Sequence, residues 1–299
     1  MYMFLFWHFF NLLAKQLPKF SWEVPRKYFD MYPLEDIPDL VIQKNDLEDA
    51  YDHGRRQWHK FVLENQQWKK VIRAYLASVS FADAQIGRLL EGLKELEYAE
   101  NTIIVLWADH VMHIGEKENW EKFTLWEEST RVPLMFVAPG ISKPGSKCNQ
   151  PVSLLDIYPT LADLAGFQPP SHCDGNSLMP QFKDVSIPTN HSALTSFEFA
   201  GDRYRHSLRN NRYRHIYNED NSLEELYDHQ TDPNEFNNLA YNKKYQKVIE
   251  EFRKELIQHV NREHVSMTDI EKDPVRYTIK DNKVSSDSFI PMEELRLDE

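Results

Sequence analysis

Six apolar residues run without a break from Ile103 to Ala108, three of them β-branched, and the next two residues are Asp109 and His110. A run this short and this apolar predicts a strand buried on both faces of a mostly parallel sheet. Ligands of open α/β sheets bind beyond the carboxyl ends of the strands. The abrupt change from Ala108 to Asp109 therefore marks the place where a site is expected.

The flanking sequence supplies the rest of an α/β unit. Upstream, Tyr75, Val79, Ala82, Ile86, Leu89, Leu90, Leu93 and Leu96 recur at intervals near three and four, which predicts one long helix from Trp68 to Leu96 with its apolar stripe in the core. Downstream, Thr130–Gly140 reads as a second strand stopped by Pro139 and Gly140, and Val152–Gly166 as a short helix with Gly166 as its C-cap. Residues 1–180 are thus expected to form a partial α/β domain. Residues 185–262 read as a smaller α+β unit. In it, Ala193–Phe199, Tyr204–Leu208, Tyr213–Tyr217 and Leu226–Asp228 form an antiparallel meander, with Asn210 and Asn211 in a turn and a covering helix from Tyr245 to Val260. Residues 263–299 are polar and weakly periodic, which predicts a loosely wrapped tail.

At 299 residues and 41% hydrophobic the chain can bury a real core. Its 35 basic residues are scattered among 47 acids, for a net charge of -12, which argues against nucleic acid as a partner. Cys148 and Cys173 fit neither a zinc framework nor a disulfide-dense module, though one bridge between them stays open. Met1–Leu13 is apolar but has no basic n-region and no small-residue cleavage site, so it is a poor signal peptide, and it is too short for a transmembrane segment. A buried strand or helix is expected there, with further sequence before it. Pro18–Pro38 reads as an ordered surface loop with aromatic anchors and no regular element.

Asp109 and His110 at a strand end could ligate a divalent ion, act as an acid–base pair, or form a structural polar pair. Lys122 adds an ammonium a short loop away. A cation and a metal site on one crevice favour an oxyanion substrate and leave phosphate and sulfate unseparated.

The run Ala108–His110, Ile114–Lys122 and Thr130–Leu134 resembles the C-terminal metal- and sulfate-binding segment of the type I sulfatases, nearest their iduronate-2-sulfatase-like branch. Val24–Pro33, Ala74–Gln85, Val152–Leu161 and Glu225–Ala240 resemble the same family in the same order. The resemblance implies an alkaline-phosphatase-like fold: the C-terminal part of a mixed or parallel sheet sandwiched by helices, plus a small antiparallel sheet with one packed helix. It implies hydrolysis of a sulfate ester on a small molecule or glycan by a formylglycine made from Cys or Ser. Asp109 and His110 would be two ligands of a calcium ion and Lys122 would touch the sulfate. His113 is the other candidate catalytic residue, lining the pocket or standing behind it.

The departures are specific. No Cys- or Ser-x-Pro-x-Arg nucleophile motif and no N-terminal acidic metal pair occur, so the N-terminal half of the fold is expected to be missing and the chain alone inactive. Val111 and Met112 stand where the family usually has Gly-Trp, and a β-branched residue would be strained there if the position needs positive φ. Lys19 stands where the family usually has a proton-donating His. Two classes remain: a sulfuric ester hydrolase represented by its C-terminal portion, and a non-catalytic sulfated-ligand module. The family is often exported, and Asn190 begins a weak glycosylation acceptor.

Overall fold

The computed structural model describes residues 2–5, 23–51, 56–169, 173–189, 191–200, 203–219, 223–260, 278–280 and 283–285. The expectations on Lys19, on Asn190 and on most of the N-terminal apolar stretch and the tail lie outside these residues. The chain divides into two compact units, Met1–Arg253 and Lys254–Glu299.

Strand β1 (Tyr2–Leu5) runs parallel to β2 (Thr102–Trp107). The chain then makes a small hairpin of β3 (His113–Ile114) and β4 (Trp120–Glu121), and β5 (Leu134–Val137) returns antiparallel to β2. The sheet is therefore mixed, in the order β1-β2-β5, where the apolar run alone predicts a mostly parallel one. A parallel return needs a crossover, usually a helix on one face. Here β2 and β5 are joined by a hairpin, a 3-10 turn and the single helical turn Glu127–Thr130.

Strand β2 is buried on one face and half-buried on the other. Ile103 and Val105 are buried in one core with Ala138 and the helix Ile157–Leu164, and Trp107, Leu134 and Phe136 pack on it. On the other face the register pairs Ile104 with Val137 and Leu106 with Met135. Met135 and Val137 are exposed there. The long helix spans Trp68–Glu95 as the periodicity predicts, but its stripe is not wholly core: Val79, Leu89 and Leu90 are exposed, as is Leu96 just past its end, while Ala77 and Ala82 are buried. Its covered side meets residues 26–36, which carry the helical turn Arg26–Phe29 and a 3-10 turn at Leu34–Asp36 where no regular element was expected. Tyr28 sits edge-on to Phe81, and the Arg73 Nε donates to the Phe29 carbonyl at 3.0 Å.

Asp156 is fully buried and accepts from the Ser153 and Asn176 backbone amides, which ties the start of the Ile157–Leu164 helix to residues 175–178. Gly166 ends that region at φ 77, as its C-cap position predicts. Both cysteines are free thiols, so the bridge left open by the sequence does not form.

The meander is β6 (Ala193–Ala200), β7 (Arg203–Arg209), β8 (Tyr213–Asn218) and β9 (Glu224–Asp228), in that order and antiparallel throughout. Asn210 makes the β7–β8 turn by accepting the Arg212 and Tyr213 amides on its side-chain oxygen. The first part of the helix Gln246–Val260 covers β8 and β9, with Phe252 stacked on His215 at 5.5 Å and Arg253 bonded to Glu224. Strands β10 (Thr278–Lys280) and β11 (Lys283–Ser285) form a separate antiparallel hairpin.

Candidate active site

Beyond β2 the backbone stays anchored, with the Ala108 amide donating to the Pro133 carbonyl at 3.3 Å and the Val111 amide to the Ser129 carbonyl at 3.1 Å. Asp109 and His110 occupy the bend between those anchors. His110 Nδ1 lies 3.1 Å from the Val111 carbonyl oxygen, which can only accept, so Nδ1 carries the proton and Nε2 offers its lone pair. That Nε2 is 2.7 Å from Lys122 Nζ and 3.6 Å from Asp109 Oδ2. The structure thus brings Asp109, His110 and Lys122 together. Val111 is not among the residues with positive φ, so the Val in place of Gly carries no backbone strain.

His113 is placed differently. Its ring is fully buried, with Nδ1 3.1 Å from the Glu116 carbonyl oxygen and Nε2 2.7 Å from Thr124 Oγ1. Trp126 stands edge-on to it at 5.9 Å. Both nitrogens are engaged with the two ends of the 115–124 loop, a placement that braces the loop.

That loop needs bracing because its backbone is forced. Gly115 has φ 125, and a Cβ there would meet Leu40 Cδ2 at 2.5 Å. Lys117, Glu118 and Phe123 adopt positive φ although none is glycine. Lys117 is held by a buried ion pair to Asp46 at 2.8 Å, with its ammonium over the rings of Tyr227 and Trp126. Burial pushes the Asp46 carboxyl up, and the Lys117 charge only partly offsets it. Trp126 Nε1 and the Tyr227 hydroxyl both donate to Glu225 Oε2 at 2.8 Å, while the Tyr51 amide donates to Oε1. The four-stranded sheet thereby fixes the loop that carries Lys122.

A second buried network fixes the turn at Glu127. Arg214 donates from Nε to Glu235 at 2.7 Å, from Nη1 to the Leu125 carbonyl and Ser207, and from Nη2 to Glu127. Burial opposes the charge on Glu235, but Arg214 and His229 outweigh it and hold the carboxyl at about 2. Sequence reasoning misses Lys117, Asp46, Glu225 and Arg214, and no local pattern could find them. Their partners lie tens of residues away.

Among the described residues, one group of three potential metal ligands lies close together, Glu127, His229 and Glu235. The Arg214 guanidinium already answers both of those carboxylates, so the group is an ion-pair cluster. The Asp109–His110 pair offers one carboxylate and one imidazole at the strand end. A ligating His characteristically donates its other N–H to a carbonyl, as His110 does to Val111. Its Nε2 accepts from the Lys122 ammonium at 2.7 Å, a bond that a ligating Nε2 would have to give up. Two donors are still far short of the six to eight that calcium takes.

Residues 25–167 match the sulfatase family, and residues 115–263 match the family described as N-sulphoglucosamine sulphohydrolase, C-terminal. A sulfatase of Formosa agariphila is 39% identical over 252 residues, covering 81% of this chain and 48% of its own length. The chain belongs to the sulfatase family. Human iduronate 2-sulfatase is 28% identical, covering 63% of this chain and 44% of its own length. A structure solved in complex with its substrate, D-glucosamine-2-N,6-O-disulfate, is 26% identical with TM-score 0.57, covering 73% of this chain and 45% of that one. A phosphonate monoester hydrolase from Silicibacter pomeroyi, 21% identical with TM-score 0.68, shares the fold over 88% of this chain and 56% of its own. This sulfatase chain thus has the α/β fold of the alkaline-phosphatase-like enzymes. It spans about half the length of the curated relatives it matches, and no helix among its described residues is long and apolar enough to cross a membrane.

Proposed function

We propose that this chain carries the C-terminal part of a sulfate-ester hydrolase site, with Asp109 and His110 as two ligands of a calcium ion and Lys122 as the contact to the sulfate. The observation that supports this reading most directly is the convergence of Asp109 and Lys122 on His110, both within 3.6 Å of its Nε2, at the end of one strand. The family to which the chain belongs acts on sulfate esters, and one similar protein binds a disulfated glucosamine. A sulfated small molecule or glycan is therefore the substrate class proposed here.

The chemistry assigned to each group follows from its charge. Calcium, when bound, would polarise the sulfate oxygens and the attacking nucleophile. Asp109 supplies a carboxylate oxygen to that position, and His110 supplies Nε2 while the Val111 carbonyl fixes its ring. Lys122 offsets charge developing on the transferring sulfate. His113 is a positioning residue that holds the Lys122 loop through Thr124 and the Glu116 carbonyl. The 299 residues contain no Cys- or Ser-x-Pro-x-Arg motif, so the nucleophile is proposed to come from sequence outside them. The same absence favours a second reading for the chain acting alone, binding of a sulfated ligand without turnover.

Calorimetry with calcium and then inorganic sulfate tests the site. Weak calcium binding lost in Asp109→Ala, and calcium-dependent sulfate binding lost in Lys122→Ala, are expected. A tight calcium site indifferent to Asp109→Ala would overturn the ligand assignment. Arylsulfate turnover by residues 1–299 above a calcium-containing buffer would overturn the external nucleophile.

A further inference from the structure

The long helix Trp68–Glu95 is covered on one side only. At about 100° per residue, Ile72, Leu76, Val79, Ile86 and Leu90 fall within an arc of about 80°. Val79 and Leu90 are exposed and the other three are half-buried. The one charged side chain inside that arc, Asp83, is exposed as well. Phe81, on the opposite side of the helix, meets Tyr28 of the 26–36 segment. Among the described residues, none of the long helix joins the core of Ile103, Val105, Ala138 and the helix Ile157–Leu164. The helix is thus held by one face while a row of large apolar side chains on another stays open to solvent.

The sheet is open in the same way. By register, Ile104, Leu106, Met135 and Val137 share one face of the β2–β5 pair. Met135 is 55% exposed and Val137 49%. The other face carries the helix Ile157–Leu164. Each apolar face of a sheet has to be buried against another element, and α/β sheets are covered by helices on both sides. Among the described residues one such layer is present. A second helical layer fits the open sheet face, and a sheet surface fits the open stripe of the long helix.

Open faces of this character resemble a domain core cut in half, the mark of an obligate interface. The relatives point to the occupant. Residues 115–263 match a family segment described as C-terminal, and the curated relatives carry about as much chain again outside the part they share with this one. A second copy of this chain would bring only the same two faces again, and none of the nucleophile motif that these residues lack. We propose that the open faces of the long helix and of the β2–β5 pair seat the remaining part of a sulfatase fold, and that they hold it as a separate polypeptide without a covalent link. The proposal deepens the reading in which the nucleophile comes from outside these residues, and it rests on that reading only where turnover is concerned.

The test is co-expression of the tagged 299-residue protein with the part of the Formosa agariphila sulfatase that lies outside its match to this chain, followed by affinity capture and sedimentation. An equimolar complex is expected. Val79→Glu, Leu90→Glu and Met135→Glu should each cut the captured partner about tenfold or more, since a carboxylate sealed into an apolar interface goes unanswered. Tyr158→Glu, exposed on the helix Ile157–Leu164, should leave capture unchanged. All four side chains are exposed, so the variants should fold as the parent does, and urea denaturation of each chain alone checks this. No complex, or capture indifferent to all three face variants, overturns the seat. A face variant that destabilises the chain by itself also overturns it, because the chain then covers that face without a partner. So does a dimer of the protein alone that Val79→Glu dissolves, which gives the faces to a second copy. If the complex forms through these faces yet shows no calcium-dependent arylsulfate turnover, the seat stands and the sulfate-ester reading falls.

Discussion

Trp126 Nε1 donates to Glu225 Oε2 at 2.8 Å, joining the loop behind Lys122 to strand β9 of the four-stranded sheet across 99 residues of sequence. Both side chains are almost wholly buried. Burial pushes the Glu225 carboxyl up, against the donors from Tyr227 and Trp126. Removing one of those donors leaves a buried acceptor underserved. Trp126→Phe, which keeps a ring against Leu47, Leu125 and Tyr227, should destabilise the protein by about 1–3 kcal/mol. Urea denaturation reads the loss directly, and a change of only a few tenths would show that this bond does not hold the loop.

Acid should weaken the buried ion pairs of Glu235 and Glu224. Glu235 is held at about 2 against an ordinary value of 4.5, and Glu224, opposed by burial but bonded to His215 and Arg253, is likewise held at about 2. A folded-state pKa below the unfolded one contributes stability that is fully present above the unfolded value and lost as pH falls through the folded one. Stability should therefore decline between about pH 4.5 and pH 2, by something on the order of 3 kcal/mol for Glu235. Denaturation midpoints measured across that window should show the decline, and Glu235→Gln should flatten it. An unaltered slope in that variant would remove Glu235 from the account.

Two glycines should respond to alanine with opposite signs. A Cβ at Gly175 would lie 2.0 Å from the Leu155 carbonyl oxygen, inside the turn that Asp156 ties together. Gly175→Ala should cost about 2–3 kcal/mol, because backbone must move. A Cβ at Gly87, in the long helix, meets nothing within 4 Å. Gly87→Ala should stabilise by about 0.5–1 kcal/mol through helix propensity and unfolded-state entropy. Thermal unfolding of the pair checks both signs, and a neutral Gly175→Ala would contradict the close approach.

The elements are legible because each is written in local periodicity. Unbroken apolar character marks β2, the three-and-four spacing marks the long helix, and alternating runs with Asn210 and Asn211 mark β6 to β9. The order of motifs around Asp109, His110 and Lys122 carries the family. What periodicity does not encode is which face meets which neighbour. Nothing local says that β5 returns antiparallel, or that Met135 on the sheet and Val79, Leu89 and Leu90 on the long helix stay exposed. The sealing of His113 between Glu116 and Thr124 is equally invisible along the chain, because it follows from the path of the folded loop.

Neighbours along the chain are enough to set the strand, the Asp109–His110 pair at its end and the basic residue twelve positions after His110. How these groups are held is a matter of tertiary packing alone. The Lys117–Asp46 pair, the Trp126–Glu225 bond and the Arg214 cluster join residues 21 to 99 positions apart. Each is a buried polar contact whose energy exists only once water has been excluded from both partners.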